Sequence, residues 1–164
     1  MDASFWAGVP PRPPSIAEWE DLLVRLDIAP RAVRVAVDDA RGESPGVLRV
    51  LQVALARESW FTEVIAALRE GRPVSLGVAF APVAAGGTPE RAEEDARELC
   101  WAFESARARN FAQVQRRGLV VWDWESPLEG GGTLSTFQAL SGLARADGET
   151  LAMVRAAGRG EATA

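Results

Sequence analysis

The chain has 164 residues, 48% of them apolar and 25% charged, which is enough for one domain with a buried core and too few for two ordinary ones. Its formal net charge of -5 argues against a nucleic-acid surface, leaving Arg31 with Arg34, or Arg107 with Arg109, as the only local basic patches to consider. Histidine and lysine are absent and Cys100 is the one cysteine, so an intramolecular disulfide, a thiolate-rich zinc site, a cysteine–histidine catalytic pair and lysine Schiff-base chemistry are all excluded.

Residues 1–14 read as an extended arm, because Pro10, Pro11, Pro13 and Pro14 lack donors and disfavour helix. Phe5 and Trp6 are its anchors, either on the domain itself or on a partner. The arm has no basic run followed by an apolar stretch, so no secretory signal is expected, and no stretch is long enough for a membrane span. The cytoplasm is the expected compartment.

A first helix is expected from Ser15, a capping residue with Glu18 three positions on. Trp19, Leu22, Leu23, Leu26 and Ile28 form its apolar face, and Pro30 reads as a break or as the opening of a new segment. Val33, Val35 and Val37 follow; they alternate as a strand would, but one strand would have no partner here, so helix is the expectation. Ser44 and Pro45 then open a second helix, whose stripe runs from Val47 through Leu51, Phe61 and Ile65 to Leu68 and stops before Gly71.

Pro73 to Gly87 is a loop, with a short extended piece at Val74–Phe80. Thr88 and Pro89 signal another helix start, and Glu90, Glu93 and Glu94 suit its positive end. Leu99, Phe103, Ala106, Asn110 and Val114 mark the inward stripe, and Asn110 needs a hydrogen-bond partner if buried. That helix runs to about Arg117. Leu119–Gly132 is a connector rich in tryptophan and acid, and Thr133 is the expected cap of the last helix. Its inward face is Leu134, Phe137, Leu140, Leu143, Ala144, Leu151 and Val154. Residues 158–164 read as a frayed tail.

Four amphipathic helices with two long connections imply an all-α four-helix bundle, without strict up-down-up-down order. In residues 15–157 the order of motifs resembles the DinB-like superfamily. The carrying stretches are Leu143–Ala152 in the last helix, Val47–Phe61 in the second, Trp19–Pro30 in the first and Leu119–Trp124 before the last. The resemblance implies a bundle often found as a homodimer. It also implies a divalent metal held by three histidines, which some relatives use to activate a thiol cofactor. The histidine positions fall on Val53 or a neighbour, Ala146 and Thr150, and the family acids on Glu58 and Asp147.

None of those three positions carries an imidazole. Valine and alanine donate nothing, and one threonine hydroxyl is a poor ligand. No cofactor and no metal are therefore expected, although Glu58, Glu63, Glu104, Asp147 and Glu149 leave a carboxylate site open in principle. Val53, Glu58, Trp60, Asp147, Thr150, Trp122 and Trp124 are the candidate residues of a ligand pocket. Asp147 lies on an apolar face, so it is hydrogen-bonded inside, anchors a ligand, or is exposed. Glu58 reads equally as a solvated surface acid. The tryptophans either fill volume left by a lost metal site or line a cleft, and Trp122 and Trp124 are expected to cover an open end of the bundle. Arg107 or Arg109 is the conceivable activator of Cys100.

The expected function is a metal-free, non-catalytic protein that binds a small molecule or a protein partner, with a homodimer as the expected assembly. A thiol-dependent transferase or other enzyme is the alternative, and a structural partner protein is a third class. No nucleic acid and no membrane are expected as partners.

Overall fold

The computed structural model describes residues 8–40, 45–75 and 95–159. The expectations for Phe5, Trp6, Ser44, Thr88, Pro89, Glu90, Glu93 and Glu94 fall outside these residues. Four long helices dominate: α1 (Ile16–Asp39), α2 (Pro45–Glu70), α3 (Ala96–Gln115) and α4 (Thr136–Gly158). Among the described residues, none of the helices is long and apolar enough to cross a membrane.

α1 starts where the sequence places it. The Ser15 hydroxyl accepts from the Glu18 backbone N–H at 3.2 Å, which satisfies one of the orphan donors of the first turn. The expectation at Pro30 is corrected, because α1 is a single helix that runs through it. A proline at this point removes the N–H that would serve the Leu26 carbonyl four residues earlier. That carbonyl is taken by a side chain from another helix, described below. Ile28 also departs from expectation, being 53% exposed.

α3 begins at Ala96. Asp95 caps it, accepting from the Arg97 N–H at 2.9 Å. A 3-10 helix (Gly118–Asp123) follows, and then a two-stranded antiparallel hairpin of β1 (Glu125–Pro127) and β2 (Thr133–Ser135). The connector expected over Leu119–Gly132 thus contains most of a short helix and the first strand of a hairpin. The hairpin's turn is closed by Gly130, Gly131 and Gly132 at φ of 102°, 103° and 88°, a region costly for any residue with a Cβ. Val74 adds a bridge to its edge, donating to the Pro127 carbonyl at 2.8 Å. Thr133 lies in β2 and does not cap α4. The cap is Ser135, which forms a reciprocal capping box with Gln138.

Two apolar clusters establish the helix directions. Trp19 and Leu22 from the start of α1 meet Phe61 and Leu68 from late α2, Val114 from late α3 and Leu140 from early α4. Val33 and Val37 from late α1 meet Val47 and Leu51 from early α2, Leu99 from early α3 and Val154 from late α4. So α1 and α4 run one way, and α2 and α3 run the other. α1 packs on α4 and α3, and α2 packs on α3 and α4. The arm from Gly8 to Pro14 lies on this bundle: Pro13 is buried, and the Val9 carbonyl accepts from Gln138 Nε2 at 3.1 Å.

Candidate functional site

Between the two apolar clusters the bundle carries a polar layer centred on Arg107. Three α3 residues, Phe103, Arg107 and Asn110, share one face at helical spacing and are all buried. Arg107 points to the axis and touches the other three helices. Its Nε and Nη2 donate to Glu58 Oε1 on α2 at 2.8 and 2.6 Å. Its Nη1 and Nη2 donate to Asp147 Oδ2 and Oδ1 on α4, each at 2.8 Å. Nη1 also donates to the Leu26 carbonyl on α1 at 2.9 Å, the acceptor that Pro30 leaves open. These bonds use all five N–H donors of a guanidinium. The ring of Phe103 adds a cation–π contact, with the guanidinium carbon 5.4 Å from its centroid.

The carboxylates are nearly as well served. Glu58 Oε2 accepts from Asn110 Nδ2 at 3.0 Å, and Asn110 also donates to the Glu58 backbone carbonyl at 2.9 Å. Asn110 Oδ1 accepts from the Thr62 hydroxyl at 2.8 Å. Asn110 thus finds the partner that its place in an apolar stripe demands. Glu58 is 0% exposed, which corrects the reading of it as a solvated surface acid.

Arg57 and Glu58 are adjacent in sequence and both buried. Neighbours on a helix point about 100° apart, and α2 lies between two other helices. Glu58 therefore faces α3 while Arg57 faces α4. Arg57 Nη1 donates to the Ala146 carbonyl and to the Thr150 hydroxyl, both at 3.3 Å, and Nη2 lies 3.9 Å from the Glu149 carboxylate. Ala146 and Thr150, two of the positions where the resemblance calls for histidine, thus face a guanidinium. The third, Val53, is half-buried one turn before Arg57 on α2.

The layer is balanced in charge. Arg57 and Arg107 compensate Glu58 and Asp147, so the four buried ionic groups sum to zero. Burial lowers the Arg57 pKa, against the pull of Glu149 and Asp147. Burial also works to lower that of Arg107, but Asp147 and Glu58 outweigh it and hold this guanidinium firmly protonated. Asp147 is raised above the ordinary carboxylate range, first by burial and then by Glu58, against the opposing effect of Arg107.

Among the described residues no group of three or more Cys, Asp or Glu side chains is arranged to hold a metal ion. Glu58 and Asp147 do meet, but around a guanidinium. Glu149 is exposed, and Glu104 stands beside Arg34 at 3.3 Å. Arg107 itself is 3% exposed, so it forms no basic patch with Arg109.

Cys100 is buried and its thiol is pushed up to about 11, chiefly by burial and then by Asp38 and Glu104. Arg34, rather than Arg107 or Arg109, is the cation that opposes this. Two units above the ordinary value of 9.0 leave about a hundredfold less thiolate. We therefore expect Cys100 to react with a disulfide reagent at pH 8 at least about a hundredfold more slowly than a free thiol. The folded chain holds this proton to higher pH than the unfolded one. Stability therefore falls as pH rises from about 9 to about 11, and a urea titration across that window checks it.

The tryptophans occupy separate places. Trp60 is half-buried and its Nε1 donates to the Ser75 carbonyl at 2.8 Å. Trp122 packs edge-on against Trp19 with ring centroids 6.0 Å apart. Trp122 and Trp124 are both partly buried against the first apolar cluster, at the end of the bundle opposite Cys100.

Asp147 adjoins an open groove of about 600 Å³ between the parallel helices α1 and α4. Leu22, Ala29 and Ala32 form one wall, Phe137, Ala144 and Leu151 the other, and Val9 of the arm closes one end. Glu18, Arg25 and Arg145 stand among its lining residues. This groove was not anticipated from sequence, since Asp147 alone of the seven candidates lines it. Gly148 was the available signal: a glycine in mid-helix costs about 1 kcal/mol relative to alanine. No family model matches the chain, and no curated protein or solved structure matches it either.

Proposed function

We propose that this chain is a metal-free, non-catalytic bundle of the DinB-like kind that binds a small molecule in the groove between α1 and α4. The groove is the observation that carries this reading, because it is a mainly apolar cleft of ligand size with one buried carboxylate at its wall. The DinB-like relation is supported by α2 and α4 facing each other at Arg57, Ala146 and Thr150. There a guanidinium stands where relatives would hold a cation. The thiol-dependent transferase alternative needs a metal-binding donor set, and Glu58 and Asp147 are already committed to Arg107.

The test is binding of the neutral fluorophore N-phenyl-1-naphthylamine, followed alongside elemental analysis after exposure to excess zinc, nickel and manganese. Saturable one-to-one binding with no stoichiometric metal is the expected result. Absence of dye binding, or one equivalent of retained metal, overturns the reading.

A second reading, a homodimer, has its own support. Val24, Ile28 and Val35 are 57%, 53% and 56% exposed and fall within about 40° of one another around α1, beside the groove. Light scattering at micromolar concentration tests this, and a clean monomer mass removes it.

A further inference from the structure

Resting on the ligand-binding reading, we infer that the groove selects an uncharged, largely apolar molecule carrying one N–H or O–H donor, which it offers to Asp147. Three observations carry this.

The first is the state of the acceptor. Asp147 is 7% exposed and lines the groove, and each of its oxygens accepts one bond from Arg107. A carboxylate offers about four acceptor directions, so about two are not used by Arg107.

The second is the charge already present. Arg107 and Arg57 fully compensate Asp147 and Glu58, so a ligand cation beside Asp147 would add an unmatched buried charge. An anion would meet the carboxylate directly. Both are costly away from water, whereas a neutral donor adds a hydrogen bond to a charged acceptor without disturbing the balance. Of the groove's other ionic residues, Arg25 is paired with Asp21 at 3.0 Å, and Glu18 and Arg145 carry opposite charges, so neither sign dominates the lining.

The third is Gly148, next to Asp147 on the groove wall. A Cβ built there meets nothing within 4 Å, and the residue does not adopt a positive φ. Neither packing nor backbone conformation requires glycine. Its effect is to keep the approach to Asp147 open, at a cost in helix stability.

A matched set of bicyclic probes tests the inference: indole (neutral, one N–H), benzofuran (same shape, no donor), tryptamine (cation) and indole-3-carboxylate (anion). Each is titrated into the full chain to millimolar concentration while the methyl resonances of Ala29, Ala32 and Ala144 are followed by NMR. Indole is expected to bind about tenfold more tightly than benzofuran, and more tightly than either charged probe. Gly148→Leu is expected to block all binding while leaving the helical signal intact, since its side chain enters open space. Ser141→Leu, on the same wall, serves as a second blocking variant should the first fold poorly.

Equal binding of indole and benzofuran, lost in the blocking variants, overturns the donor requirement and leaves the ligand groove standing. Tighter binding of tryptamine or indole-3-carboxylate overturns the neutral class. No binding by any probe overturns both readings. So does a dimer whose mass, rather than probe affinity, responds to Gly148→Leu, because a second copy then covers the groove.

Discussion

Arg107→Met is expected to lower the unfolding free energy by about 3–5 kcal/mol at neutral pH, read from urea denaturation. The size follows from what the arginine leaves behind. Glu58 and Asp147 are 0% and 7% exposed, and without the guanidinium two carboxylates face each other with five hydrogen bonds gone. The variant should also acquire a distinctive pH dependence. Burial already raises Asp147 in the parent chain, and loss of Arg107 removes the main influence opposing it. A carboxyl with a folded pKa above its unfolded one binds more protons when folded. Its stability deficit therefore grows as pH rises above the ordinary aspartate value of 3.8. Part of the lost stability should return between pH 7 and pH 5. A deficit independent of pH would mean that the carboxylates are not the source. Replacing Arg107, Glu58 and Asp147 together by apolar residues of similar volume should recover much of the loss, because an apolar layer has no charges to desolvate.

Phe103→Ala comes next in size, with an expected loss of about 3–5 kcal/mol. Phe103 is 1% exposed and belongs to the second apolar cluster, so truncation opens a cavity that the flanking helices can only partly close. It also removes the ring beneath the Arg107 guanidinium. A double-mutant cycle with Arg107→Met should show coupling of about 0.5–2 kcal/mol, since the two side chains share one contact. Strict additivity would show that the ring only fills space. Phe103→Leu, which retains most of the volume but no aromatic face, separates the two contributions.

Helix positions followed from periodicity and capping, and the caps at Ser15 and the proline start of α2 fell where the residues placed them. The hairpin at Glu125–Ser135 escaped because each strand is only 3 residues long, too short for alternation to register. Pro30 was weighed as a break because local propensity speaks only about the helix itself. What it cannot show is that another helix supplies a donor for the stranded carbonyl. The polar layer was half legible: Asp147 and Asn110 drew notice as polar residues on apolar faces. Arg107 did not, because an arginine is ordinarily read as surface. Its position, three residues before Asn110 on the same face, was the available clue. The groove depends on the spacing of two parallel helices that are distant in sequence, and no one-dimensional pattern carries that distance.

Pro30 has a consequence for how the helices align. Of the 24 residues of α1, it is the one without an amide hydrogen, so Leu26 is the helix's one interior carbonyl left over. Arg107 can find that acceptor in a single axial setting. Sliding α1 by one turn, about 5.4 Å, would offer the guanidinium a carbonyl already spoken for and abandon the vacant one in the dry interior. The proline thus works as a notch, and the arginine as the key that stops one rod from sliding past another.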